Sequence, residues 1–172
     1  GTRFYFTAMM GTIVYQMSVE IGFGDVVTPK PALVDFPILL DDIPAIHIKA
    51  YSLETVVAEK FHTMIVRDVS NSRMKDFFDC YQILTTREMD NSLLYDAICA
   101  TFDNRGLEYD ANLQLFTADF AADYDRQQRW NAFLKKIQWK EPIEFADVMK
   151  LISERLRPMY ERYFSPGCLD II

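Results

Sequence analysis

The spacing of hydrophobic residues changes once along this chain, close to residue 51, and this change limits the folds open to it. Upstream, hydrophobic and polar residues alternate from Tyr15 to Ile21, which is typical of a strand with one buried face. Downstream, hydrophobic residues recur every three or four positions, as in amphipathic helices. We therefore predict an α+β fold, with strands in residues 1–50 and a helical domain of about five helices in residues 51–172.

The strand-forming part is too small to close a sheet. After the alternating run that ends at Ile21, a proline-punctuated loop leads to a further short strand at Ile46–Lys49. Strands in such a short segment predict an incomplete sheet with an open edge.

Several helix ends are marked by residues with strong local preferences. Ser52 is predicted to cap the first helix and the run Asp90–Ser92 to cap the third. Residues 120–137 indicate one long helix or two broken ones. Pro158 is expected to end or kink the last helix, because proline lacks the backbone N–H that continues the hydrogen-bond ladder.

Charge and cysteine content exclude several classes of protein. The net charge is −7, so the overall field repels phosphate, and any nucleotide site must be local and needs a cation. The three cysteines form no CxxC pair, which disfavours a disulfide framework or a zinc site and fits a reducing cytoplasm. No stretch approaches the roughly 18 apolar residues of a membrane span, so we expect a cytoplasmic protein without a membrane partner.

A first candidate site is the carboxylate of Glu20, near the end of the alternating strand. Glu20 shares its strand face with Gln16 and Ser18, and the glycine turn 22–25 follows. One interpretation is a solvated strand face. The other is a metal-binding or basic carboxylate, because ligand sites favour strand ends and Mg²⁺ prefers oxygen ligands.

A second candidate site comes from the first two helices. Lys60 lies where the apolar stripe of its helix meets the polar side, and Asp76 and Asp79 lie one turn apart among aromatic residues. One interpretation is a salt bridge that locks the helices together; the other is that Lys60 faces a phosphate and is oriented by an aspartate. The roles are compatible, and we expect Lys60 within salt-bridge reach of either aspartate. Lys75 is spaced to pair with Asp79, and His62 is expected on the helix surface.

Through these residues the chain resembles the AbiEii/AbiGii toxin family of nucleotidyltransferases. The segments that carry the resemblance are VEIGFGDVVTPKP, YSLETVVAEKF and NSRMKDFFDCYQIL, with weaker matches at TFDNRG and WNAFLKKI. They span most of residues 1–138. The resemblance implies a minimal nucleotidyltransferase sheet followed by a helical domain. It also implies a bacterial toxin of abortive-infection or type IV toxin–antitoxin systems that transfers a nucleotidyl group from an NTP with Mg²⁺.

The resemblance further implies roles for individual residues. Glu20 corresponds to the third carboxylate position, which is catalytic and binds metal. Lys60 and Asp76 correspond to the lysine and aspartate of later motifs linked to activity and nucleotide binding. Lys75 and Asp79 flank them as nucleotide-binding residues. The implied partners are an NTP, an RNA or protein acceptor, and a cognate antitoxin.

The chain departs from the family pattern at its start. The early motifs, a glycine-rich GG…L turn and a D-I-D aspartate pair, are absent, and with them the two principal metal-holding aspartates. We therefore expect the C-terminal portion of an AbiEii-like nucleotidyltransferase, inactive alone and not retaining Mg²⁺. The alternative is a non-catalytic helical protein-binding module derived from that family. An open reading frame encoding GG…L…DID upstream of the Gly1 codon would favour the first expectation, and a start codon there the second.

Overall fold

The computed structural model describes residues 1–38, 42 and 44–165. Its strands form two antiparallel hairpins, each a separate two-stranded sheet. The paired strands are β1 (Thr2–Met10) with β2 (Ile13–Ile21), and β3 (Ala32–Phe36) with β4 (Ile46–Ala50). The two hairpins are not joined to each other by strand pairing in the described part of the chain.

Helices make up the rest of the regular structure. The described residues contain six α-helices, where about five were expected: α1 (Leu53–Arg67), α2 (Met74–Thr86), α3 (Asn91–Arg105), α4 (Ala118–Ala122), α5 (Tyr124–Lys136) and α6 (Phe145–Tyr163). A 3₁₀ turn, Asp68–Ser70, follows α1. The fold is α+β, as the sequence predicts. Within the residues described, no helix is both long enough and apolar enough to cross a membrane.

Most helix starts follow from local side-chain chemistry. Ser52 caps α1 by accepting a hydrogen bond from the backbone N–H of Thr55, and Asp90 caps α3 in the same manner, which confirms both predictions. Asp123 caps α5 by accepting from the N–H of Arg126. This cap separates α5 from α4, so the segment predicted as one long or two broken helices contains two.

Pro158 was predicted to end or kink the last helix; it lies inside α6, which continues to Tyr163, so it does not end the helix. The side chains of Tyr160 and Tyr163 beyond it are buried. The ring of Tyr163 packs edge-on against Phe102 of α3, with 5.1 Å between centroids. This packing stabilises the last turns although Pro158 provides no N–H for the helical ladder.

The helices supply the hydrophobic core. The buried hydrophobic residues that the structure describes run from Val57 to Tyr163. Phe61 and Phe77 are fully buried, and the ring of Phe77 meets that of Phe145 edge-on at 5.3 Å. Burial of each such side chain stabilises the fold by about 1.5–3 kcal/mol relative to exposure. The stability of the described chain is therefore concentrated after the strands.

The first hairpin has one hydrophobic and one polar face. Phe6 lies opposite Met17 on the first, and Arg3 lies opposite Glu20 on the second. Both faces are exposed to solvent. The second hairpin is likewise exposed on the face that carries Val34. The strands therefore reach the rest of the protein through their connecting loops rather than through a shared core.

Candidate functional site

Lys60 of α1 pairs with two carboxylates of α2. Its Nζ lies 2.9 Å from Asp76 Oδ1 and 2.8 Å from Asp79 Oδ2. The three-residue spacing places both aspartates on one face of α2. Asp76 is 4% exposed and Lys60 is half-buried. The predicted salt bridge is confirmed, and it involves both aspartates.

Two more cations complete this network. Arg73 Nε donates to Asp76 Oδ2 at 2.6 Å, and Lys75 Nζ donates to Asp79 Oδ2. The two carboxylates therefore serve three cations. This matters because a buried charge without a partner destabilises a fold strongly.

The ionised forms of the central pair are favoured. Burial alone would lower the pKa of Lys60, but its hydrogen bonds to Asp79 and Asp76 outweigh burial, and the pKa of the amine is raised. Burial alone would raise the pKa of Asp76, but hydrogen bonds from Lys60 and Arg73 outweigh it, and the pKa is lowered. The ammonium has three N–H donors, of which two are used by the aspartates. No other residue that the structure describes forms an ion pair with this amine, so one donor is available to an oxygen of a ligand.

This pair borders a cleft of about 310 Å³, at the small end of the range for small-molecule sites. The lining combines three cations, three carboxylates and three other side chains: Lys60, Arg73, Arg105, Asp25, Glu59, Asp76, Tyr51, Val56 and Thr63. Positive and negative charges are equal in number along this lining. The cleft therefore offers oriented donors rather than a strong positive field.

A second ion-pair cluster lines the same cleft. Arg105, the last residue of α3, contacts Glu59 of α1 and lies 3.4 Å from Asp25. Burial raises the pKa of Glu59; the attraction of Arg105 opposes this rise, and the charge of Asp25 adds to it. Residues from α1, α2, α3 and the loop after β2 thus meet at one cleft.

Polar contacts fasten the loop after β2 to the helices. The hydroxyl of Thr55 donates to the carbonyl of Thr28 at 2.7 Å, and Asn104 Nδ2 donates to the carbonyl of Gly24 at 2.9 Å. Gly24 has a φ of +83°, a backbone conformation that residues other than glycine rarely adopt. These contacts place Asp25 beside Arg105.

Glu20 lies outside the lining of this cleft. It is an exposed residue of β2, and its Oε2 lies 2.8 Å from the guanidinium of Arg3 on β1. The hydrogen bond from Arg3 lowers the pKa of Glu20. The structure thus brings the other four predicted site residues together and leaves Glu20 apart. The metal-binding role of Glu20 stays a prediction.

The described residues do not fit a magnesium site. Mg²⁺ is bound by carboxylate oxygens that are free to coordinate it. In the part of the chain that the structure describes, no group of three or more His, Cys, Asp or Glu side chains could hold a metal ion. Asp76 and Asp79 already pair with cations, and Glu20 pairs with Arg3.

The sequence assigned no role to the three residues of the second ion-pair cluster, Asp25, Glu59 and Arg105. Asp25 and Arg105 lie in segments that carry the family resemblance, and Glu59 directly precedes Lys60. Their meeting depends on the packing of the loop and two helices, and no local spacing connects positions so far apart. The family-like segments were the one signal that could have drawn attention to them.

His62 is buried, so its predicted place on the helix surface is wrong. It is 8% exposed, and its ring lies 6.1 Å from that of Phe102 of α3 between centroids. Burial, with a smaller effect from the charge of Arg105, lowers the pKa of His62 to about 4. The imidazole is therefore neutral at pH 7 and belongs to the contact between α1 and α3.

Residues 1–151 match the family described as Nucleotidyl transferase AbiEii toxin, Type IV TA system. The chain belongs to this family. No curated protein and no solved structure matches the chain. The matched AbiEii region includes every residue of the cleft. AbiEii membership confirms the resemblance read from the sequence and associates the chain with nucleotidyl transfer and toxin–antitoxin systems.

Proposed function

We propose that this chain provides the phosphate-binding cleft of an AbiEii nucleotidyltransferase toxin. The observation that carries the proposal is the Lys60 amine, which two aspartates hold in place at the edge of a cleft with one donor unused. A lysine held in this way is an oriented cation for a phosphate oxygen.

The reaction is the transfer of a nucleotidyl group from an NTP to an RNA or protein acceptor. The oxygen of an acceptor hydroxyl forms the new bond to the α-phosphorus and loses its proton to solvent, while the bond to the pyrophosphate leaving group breaks. Lys60 stabilises the negative charge of the phosphate oxygens, and Asp76 positions Lys60 rather than touching the nucleotide. Lys75 and Asp79 support the same network from the surface. In its cellular setting the toxin is paired with a cognate antitoxin.

The charge balance of the cleft sets the strength of NTP binding. The three cations along its lining are matched by three carboxylates. A triphosphate therefore finds oriented donors but little net positive charge, and the phosphates must leave solvent for few free partners. We expect the 172-residue chain to bind NTP weakly and to transfer nothing unaided.

The test is nucleotidyl transfer from labelled NTP to total RNA and to total protein by the protein expressed from its complete open reading frame. Lys60→Ala should reduce transfer by about 10²-fold or more, as does loss of one oriented donor at a developing charge. Lys60→Arg should also be impaired, because a planar guanidinium does not reproduce a point charge between two aspartates. Lys150→Ala, an exposed residue of α6 outside the cleft, is the matched control and should be unaffected.

Melting curves measured beside activity separate the two roles of Lys60. If Lys60→Ala retains full transfer, or loses it only in proportion to a loss of folded protein, the lysine is a structural salt bridge and the proposal fails. Robust transfer by the 172-residue chain alone would contradict the expected weakness of its cleft.

A further inference from the structure

A second groove runs beside the cleft, between the start of α2 and one face of α5. It encloses about 680 Å³. Its lining combines basic and apolar side chains with one carboxylate: Arg73, Lys75, Arg129, Lys136, Met74, Ala132, Phe133, Ile137, Ser72 and Asp76. Aromatic contacts hold the two walls together, because Phe78 of α2 packs against Phe133 of α5 with 5.6 Å between ring centroids.

The groove is basic although the chain as a whole carries a net charge of −7. Four cations and one carboxylate line it. Arg73 and Lys75 have aspartate partners, but Arg129 and Lys136 form no ion pair with any residue the structure describes. Both are exposed. These two cations are therefore available to an anionic ligand.

The spacing on α5 places these cations on either side of an aromatic ring. Arg129, Phe133 and Lys136 follow one another at four and three residues, so they share one helix face. At 1.5 Å per residue, the two cations lie about 10 Å apart along the helix axis. The face thus presents charge, ring and charge in succession, with the half-buried Phe133 between the cations.

The opposite side of Arg129 has a different character. Arg129 also borders a depression lined by Asp119, Asp123 and Asp125. Positive and negative surfaces therefore meet along α5, and the positive one is the side that joins α2. Arg73 and Asp76 line both this groove and the cleft of Lys60, so the two are continuous.

We propose that this groove binds a single-stranded segment of RNA and leads its end toward Lys60. Arg129 and Lys136 contact phosphates, and a base packs on the accessible part of the half-buried Phe133 ring, beside the exposed Ile137. Cations beside an accessible aromatic ring are the features by which proteins hold unpaired nucleic acid. An acidic peptide would use the cations but not the ring. The proposal rests on the proposed function, because it names RNA as the acceptor.

The experiment measures binding of a fluorescent single-stranded oligoribonucleotide by anisotropy, in a series of salt concentrations. The double variant Arg129→Gln/Lys136→Gln should weaken binding at least about tenfold near 0.1 M salt. It should also reduce the slope of log Kd against log salt by about 1.4, since each phosphate contact on a single strand contributes about 0.7. Phe133→Leu, checked by melting, should weaken binding with little change in that slope.

The matched control is Lys140→Gln/Lys150→Gln, which removes the same charge from exposed positions outside the groove. It should bind RNA as the unaltered protein does. Equal weakening by the two double variants would overturn the proposal, as would an absence of RNA binding. Equal affinity for a poly-glutamate peptide of the same charge would also overturn it.

A further variant keeps the two proposals distinguishable. Lys60→Ala should leave RNA affinity within about twofold, because Lys60 lies in the cleft rather than in the groove. Unchanged transfer by Lys60→Ala together with impaired binding by the α5 variant would refute the proposed function alone. The reverse pattern would refute the RNA groove alone.

Discussion

His62 and Lys60 lie two residues apart on α1, yet burial affects their charges differently. Lys60 is surrounded by two aspartates, so it stays charged despite partial burial. For His62, burial is the largest effect and the charge of Arg105 adds to it, so it stays neutral. Its Nδ1 is buried and has no hydrogen-bond partner among the described residues. The same helix turn thus holds Lys60, which is charged and paired, and His62, which is neutral and whose Nδ1 has no partner among the described residues.

Stability should therefore fall in mild acid through His62. The unfolded imidazole titrates near pH 6.5, whereas the folded pKa is about 4. Between these values the unfolded chain binds a proton that the folded chain does not, so stability falls as the pH drops from about 6.5 to about 4. Urea unfolding at pH 7 and pH 5 should show a loss of roughly 1–2 kcal/mol from this residue.

The variant His62→Leu should lose this part of the pH dependence while keeping a similar volume between α1 and α3. His47→Gln is the control, because His47 is exposed on β4 and pairs with Asp35. It should keep the dependence. Identical pH profiles for the unaltered protein and His62→Leu would show that the imidazole titrates normally in the folded state.

At the scale of single residues, the sequence predicted the contacts that local spacing determines. The pairing of Lys60 with Asp76 and Asp79 followed from two amphipathic helices separated by a short connection. The contact of Arg105 with Asp25 could not be predicted in this way, because 80 residues separate them. The burial of His62 was missed because its position is set by packing against α3 rather than by its own helix.

At the scale of elements, helix starts were predictable and one helix end was not. Ser52 and Asp90 act on the first turn of their own helices, so their effect can be read from neighbouring residues. Pro158 would end an isolated helix, but Tyr160 and Tyr163 are held by tertiary contacts. Proline costs free energy because it removes a helical hydrogen bond, and the tertiary packing of α6 outweighs this cost.

If this explanation is correct, Pro158→Ala should stabilise the protein. Alanine restores a helical N–H and has the highest helix propensity, while proline inside a helix costs about 3 kcal/mol. Proline also restricts the unfolded chain, which offsets part of the gain. We expect a net increase in unfolding free energy of roughly 1–2 kcal/mol in urea melts. Pro142→Ala, at an exposed position outside the helices, should give no such increase. A loss of stability in Pro158→Ala would show that α6 is adapted to proline.

At the scale of the whole molecule, the change of hydrophobic period correctly separated strands from helices, but it did not specify how the strands associate. The sequence predicted a single incomplete sheet, and the structure has two separate hairpins. Strand pairing depends on contacts between distant segments, whereas each strand pattern depends on near neighbours. The same reason explains why the sequence predicted only part of the cleft. Lys60 and Asp76 lie on consecutive helices, so their pairing could be predicted, whereas Asp25 comes from a distant loop.

Native-state hydrogen exchange should show this unequal distribution of stability. The amides of α1 and α2 around Phe61 and Phe77 should exchange slowest, because both side chains are fully buried. The hairpin of β1 and β2 should exchange faster by opening locally, since an isolated two-stranded hairpin is marginally stable in water.

Phe77→Ala should lower protection in the helices by about 3–5 kcal/mol, the usual cost of removing a buried ring. Tyr5→Ala, an exposed position on β1, is the control and should leave the helices unchanged. Slowest exchange within residues 3–22 would show instead that the first hairpin belongs to the stable core, and the division into a stable helical part and weakly held strands would be wrong.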